Sequence, residues 1–188
     1  WRSAARLYYR SMKAALLLLA AAPVALHAQD YFQQQVDYTI SVRLDDARHE
    51  LHAQERFVYR NNSPAALDTI WMHLWPNAYK QRGTALDDQL CRTGDLSLHF
   101  AKDEERGSID SLDFQVDGAK AAWGYHQKHI DIGWVKLLTP LLPGGSVSIS
   151  TPFRVKIPDG KFSRLGHTDQ AYYITQWYPK PAVYDATG

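Results

Sequence analysis

The chain has 188 residues, with 21 Lys and Arg against 20 Asp and Glu, and a single cysteine, Cys91. One thiol excludes an internal disulfide framework, and a near-neutral charge with no basic patch excludes a nucleic-acid-binding surface. Four of the basic residues, Arg2, Arg6, Arg10 and Lys13, fall within positions 1–28, which carry no acid, so positions 29–188 hold 17 basic and 20 acidic residues, a net charge of −3.

Met12 is the first candidate start. Lys13 follows it, and then the apolar run 14–22. A positive residue before a short apolar stretch is the pattern of a secretory signal peptide. The run is too short to span a bilayer, which takes about 20 apolar residues. Cleavage after Ala28 is expected, with export to the periplasm or the cell exterior. Residues 29–188 then form one β-rich domain, and a domain of about 160 residues buries roughly 68–70% of its unfolded surface.

Val36, Tyr38, Ile40, Val42 and Leu44 alternate with polar residues, which predicts a half-buried strand. A turn at 45–48 leads to a second strand. Leu51, Ala53, Phe57 and Tyr59 share its apolar face, and Glu55 is the exception on that face. The two strands predict a hairpin ended by Asn61-Asn62-Ser63-Pro64. Ile70 to Trp75 is apolar on both faces, as in a central or covered strand. Thr84 and Asp87 resemble a capping box, and they predict a short helix over 85–92 that closes near Gly94.

Leu112, Phe114 and Val116 alternate up to Asp117-Gly118, a hairpin turn pair. Ile130, Ile132 and Trp134 predict another strand, and Leu142-Pro143-Gly144-Gly145 a turn. Val147, Ile149, Phe153, Val155 and Ile157 form a long alternating strand. Pro152 lacks a ladder donor, so an edge position or a bulge is expected there. Tyr172 to Tyr178 reads as the last strand. Many short strands and at most one short helix predict a mainly β, sandwich-like domain.

Few residues suggest chemistry by spacing alone. His49 and His52, three apart on a strand, point to opposite faces and cannot chelate one ion locally. His126 and His129 could meet in a turn, but no third ligand accompanies them. Ser163, His167 and Asp169 are the residue types of a hydrolytic triad, yet a triad is defined by geometry and not by proximity in sequence. Cys91 reads as a buried or incidental thiol. Gln176 and Tyr178 share a face if the last segment is extended, with Tyr172 and Ile174 beside them. An amide beside tyrosines can orient a peptide through one donor and one acceptor group. On residue chemistry alone, a structural glutamine at a strand end explains Gln176 better.

Five segments in order resemble one family. They are Asp37 to Asp45, Asn61-Asn62-Ser63-Pro64, His73-Leu74-Trp75-Pro76-Asn77-Ala78-Tyr79, Thr151 to Pro158, and Thr175-Gln176-Trp177-Tyr178-Pro179. Together they resemble the N-terminal domain of the aminopeptidase-N family of zinc metallopeptidases (clan MA, the gluzincins), in its secreted bacterial branch. The resemblance covers residues 31–188. It implies a saddle-shaped β-domain followed by a thermolysin-like catalytic domain, with His-Glu-x-x-His and a further glutamate as zinc ligands. None of the catalytic motifs occurs here. The resemblance therefore places zinc and the catalytic domain beyond residue 188, with no zinc bound by residues 1–188 and no peptidase activity of their own.

The family's N-domain gives the substrate site a Gln-x-Glu pattern. Gln176 matches the glutamine that lines the first substrate pocket. Tyr178 stands where the family has the glutamate that holds the substrate's free amino group. Implied partners are a peptide substrate and the chain's own catalytic domain. The alternative reading is a freestanding β-sandwich module that binds carbohydrate or a cell-surface protein through its 6 Trp and 11 Tyr. Trp71, Trp75 and Trp177 are expected in part to cover a partner domain.

Overall fold

A computed structural model describes residues 32–185. Met12, the expected leader and its cleavage site lie outside these residues. The described chain is mainly β, with 44% strand and 10% helix in three antiparallel sheets and a single α-helix.

The predicted hairpin is strand β1 (Gln35–Asp45) against β2 (Glu50–Arg60), in continuous antiparallel register from Gln35↔Arg60 to Asp45↔Glu50. Strand β3 (Leu67–His73) and the 3₁₀ turn at Trp75–Tyr79 follow, then α1 (Ala85–Arg92). Four short strands come next: β4 (Ser108–Asp110), β5 (Gln115–Val116), β6 (Ala119–Lys120) and β7 (Trp123–Tyr125). The long strands β8 (Ile132–Leu141) and β9 (Ser146–Lys156) precede three short ones, β10 (Gly166–His167), β11 (Tyr172–Tyr173) and β12 (Lys180–Pro181).

The larger sheet has the order β1-β2-β9-β5-β6, with β4 also on β9. The second has the order β12-β3-β8-β7, and β10-β11 is a separate ribbon. One core joins the two larger sheets. It takes Leu51, Phe57, Tyr59, Ile149, Phe153 and Val155 from the first and Ile70, Met72, Val135 and Leu137 from the second. A smaller core of Ala78, Tyr79, Leu98, Phe162 and Leu165 lies against Leu86 and Leu90 of α1. Trp177 packs against both.

Strand β9 is not the edge that Pro152 suggested. It pairs with β2 along its whole length without a register shift. On its other side β5 pairs with Ser150 and Ile149, and β4 with residues 154–156. Pro152 falls in the gap between those two short partners. A proline is tolerated there because a local interruption of the ladder serves as well as an edge.

The α1 start follows its sequence signal. Thr84 Oγ1 accepts from the Asp87 amide at 3.3 Å and donates to the Ala78 carbonyl at 2.6 Å. Asp87 does not complete a capping box: its carboxylate accepts from the Gly83 amide at 2.8 Å. Thr84→Ala removes both hydroxyl bonds and should cost about 1–2 kcal/mol in urea unfolding. An unchanged midpoint would show that α1 does not depend on this cap. At the β5–β6 turn, Asp117 (φ 49°) and Gly118 (φ 81°) both take the left-handed conformation that a tight two-residue hairpin turn requires.

Candidate functional site

The C-terminal segment does not form the strand expected over 172–178. Regular pairing ends at Tyr173, and the chain returns to a sheet only at Lys180–Pro181, on the edge of β3. Gln176 has φ 54°, in the left-handed region that breaks strand alternation. Pro179 and Pro181 remove two backbone donors, which confines this stretch to an edge. Gln176 and Tyr178 therefore do not project from one strand face.

They meet through a third residue instead. Lys180 Nζ donates to Gln176 Oε1 at 2.7 Å and sits 4.7 Å from the Tyr178 ring centroid and 5.2 Å from that of Trp75. His73 stacks on Trp75 at 4.7 Å. Burial holds the Lys180 ammonium below its ordinary pKa. Burial also lowers the His73 imidazole, with Asp131 opposing and Lys180 adding to the shift. The result is a lysine seated between two aromatic faces with one amide acceptor, a cation–π arrangement.

Gln176 lines a cleft of ≈ 330 Å³, together with Trp75, Tyr79, Leu86, Asp131, Ser163 and Arg164. Tyr178 is not part of its lining. The Tyr178 ring packs edge-on against Tyr38 of β1 at 5.3 Å and against Trp177 at 5.3 Å. One of the two expected residues thus reaches a cavity, and the other covers the hairpin.

The remaining candidates are dispersed. Ser163 lines the cleft, but among the described residues no hydrogen bond joins it to His167. The His167 ring instead stacks on His49 at 3.6 Å. His49 is the last residue of the β1–β2 turn, with φ 54°, and not a strand residue. The Tyr172 hydroxyl donates to the Asp46 carbonyl at 3.2 Å, so His49 Nδ1 donates to that hydroxyl at 2.8 Å. Burial, and then the neighbouring His49, hold His167 below its usual pKa. His52 turns elsewhere, to Glu50 at 3.1 Å. His126 and His129 do meet in a turn, with rings 5.2 Å apart, and His126 Nδ1 accepts two backbone amides at 3.2 Å each.

Sequence reasoning missed one grouping. Among the described residues, Asp87, Cys91 and His99 alone bring three metal-ligating side chains within 4.8 Å of one another. Asp87 and Cys91 are four apart in the predicted helix, so their shared face was legible. His99 arrives from the loop after α1, which no local pattern announces.

Compared with known protein families and with curated proteins, the chain matches none.

Proposed function

We propose that this chain is the N-terminal, substrate-site-lining domain of a secreted zinc metallopeptidase of the aminopeptidase type. In the whole enzyme a separate catalytic domain would hold zinc and a glutamate general base, and the metal-activated water would cleave the peptide bond. The observation that carries the reading is the Gln176 amide at the wall of a cleft, inside the last of five ordered segments that resemble that family. The β1 face adds support. Val42 and Leu44 point the same way as the half-buried Val36 and Tyr38 but are 48% and 43% exposed. Trp71 is exposed as well, whereas Trp75 and Trp177 are half-buried. An apolar hairpin face of this kind suits a neighbouring domain.

A membrane anchor is not part of the proposal. No helix among the described residues is long and apolar enough to cross a membrane. Export follows from the signal-peptide pattern of the first 28 residues.

The downstream coding sequence tests the reading directly. An open frame that reaches His-Glu-x-x-His is expected, and a stop codon just after Gly188 would favour the freestanding binding module. That second reading has its own observation, an apolar groove of ≈ 650 Å³ lined by Trp71, Ile70, Tyr59 and Tyr184. In the full enzyme, Gln176→Ala should reduce kcat/KM three- to tenfold, because one orienting hydrogen bond is worth about 0.5–1.5 kcal/mol. Tyr178→Glu alone should not create an amino-group anchor, since the new carboxylate would pair with Lys180. Only Tyr178→Glu combined with Lys180→Gln should raise the preference for substrates with a free N-terminus over N-blocked ones. Unchanged kinetics in folded variants on both substrate types would place this segment away from the active site.

A further inference from the structure

We propose that Asp87, Cys91 and His99 form a zinc site that fastens the loop after α1 to the helix, with water as the fourth ligand. The site is separate from any zinc of a catalytic domain, and it runs against the expectation that these residues bind no metal.

The donor set fits a borderline-soft cation. Carboxylate, thiolate and imidazole together suit Zn²⁺, while Mg²⁺ and Ca²⁺ take oxygen donors. The spacing is near that of a bound ion. Zinc bonds of about 2.0–2.3 Å hold tetrahedral donors about 3.3–3.8 Å apart. His99 Nδ1 already lies 3.2 Å from Asp87 Oδ2, and Cys91 Sγ lies 4.0 Å from Asp87 Oδ1. The carboxylate thus stands between the other two ligands and presents one oxygen to each. All three donor atoms fall within 4.8 Å of one another, so closing onto one ion shortens the longest separation by at most about 1.5 Å.

The ligands are also held from behind. The Asp87 side chain is 2% exposed, and the Gly83 amide fixes its Oδ2 at 2.8 Å. The His99 carbonyl accepts from Arg82 Nε at 2.6 Å, which pins the loop where the imidazole leaves it. Outer partners of this kind orient metal ligands. The open side is provided by His99, whose side chain is 37% exposed, and by the half-buried Cys91. Asp88 and Asp95 lie close enough to act on the thiol electrostatically. A divalent cation would offset that negative field and take the place of the thiol proton.

The test uses the purified, reduced, metal-free chain titrated with Zn²⁺ and with Co²⁺. One equivalent of zinc should bind, and the cobalt form should show a thiolate-to-metal charge-transfer band. Cys91→Ser should abolish that band. Cys91→Ser and His99→Gln should each weaken zinc binding at least tenfold and remove the zinc-dependent rise in Tm, because a ligand that binds only the native state stabilises it. The paired His126→Gln and His129→Gln change should leave the affinity unaltered. Cobalt saturation without a thiolate band would overturn the site. So would zinc affinity that is indifferent to Cys91→Ser and His99→Gln, or one that collapses in the His126/His129 variant.

Discussion

Raising the pH from 5 to 8 should destabilise this domain by several kcal/mol, and Glu55→Gln should abolish most of that loss. Glu55 lies on the core face of β2 between Ala53 and Phe57, and it is 0% exposed. Its Cα partners are Ile40 on β1 and Thr151 on β9, so a strand covers each side. Among the described residues neither carboxylate oxygen has a hydrogen-bond partner. Burial without a partner disfavours the charged form, and it pushes the carboxyl from 4.5 up to about 8. The neighbouring Tyr38 phenol is pushed up in turn, mainly by its own burial and then by Glu55 and Tyr178.

The sign follows from proton linkage. Between pH 4.5 and 8 the folded state holds a proton on Glu55 that the unfolded state has released. Stability therefore falls as pH rises through this window. It is unaffected by this group below pH 4.5, and the loss is complete above about pH 8. A shift of this size corresponds to roughly 3–5 kcal/mol, a large share of the ~5–15 kcal/mol that holds a domain folded. Glu55→Gln keeps the shape and removes the titration. In urea unfolding, the wild type and the variant should be close at pH 5 and far apart at pH 8, with the variant more stable. Parallel profiles for the two proteins would show that Glu55 is not the group responsible.

Glu55 also marks how far the sequence carries. Its parity put an acid on an apolar face, and that much was plain. What period two could not say is whether the hairpin bends to release it or the second sheet closes over it. The structure has the closure at Glu55 and Phe57, and it runs out at Val42 and Leu44. Elements governed by local chemistry were legible: the β1–β2 hairpin, the Thr84 cap, and the Asp117-Gly118 turn. Elements governed by what lies alongside were not. Pro152 could announce a missing donor, but not that two short strands would part around it. The same limit explains the site. Extended geometry at 172–178 was inferred from alternation, and the left-handed φ at Gln176 leaves no mark on that pattern. Nothing in that pattern points to Lys180, though it is the group that Gln176 and Tyr178 share.

Asn61→Ala should cost about 3–5 kcal/mol. Asn61 is 0% exposed and uses every polar atom it has. Its Nδ2 donates to the Ala65 carbonyl at 2.8 Å and to the Leu141 carbonyl at 2.9 Å. Its Oδ1 accepts from the Ser63 amide at 3.0 Å and from the Ser63 hydroxyl at 2.6 Å. Its backbone exchanges bonds with the 144–145 turn, donating to the Gly145 carbonyl at 2.9 Å and accepting from the Gly144 amide at 2.6 Å. These partners belong to two of the places where the chain passes between the large sheets, from β2 to β3 and from β8 to β9. One side chain thus ties both crossings. Removing it leaves the buried Leu141 carbonyl and the buried Ser63 amide without these partners, and each unsatisfied group costs about 1–3 kcal/mol. Asn61→Asp is the sharper variant. It has the same shape and keeps the acceptor, but it replaces the donor with a second oxygen facing the Ala65 and Leu141 carbonyls. It should be destabilised about as much as Asn61→Ala at neutral pH, measured by urea unfolding. A loss under about 1 kcal/mol in both variants would mean that the crossings are held by the apolar core alone.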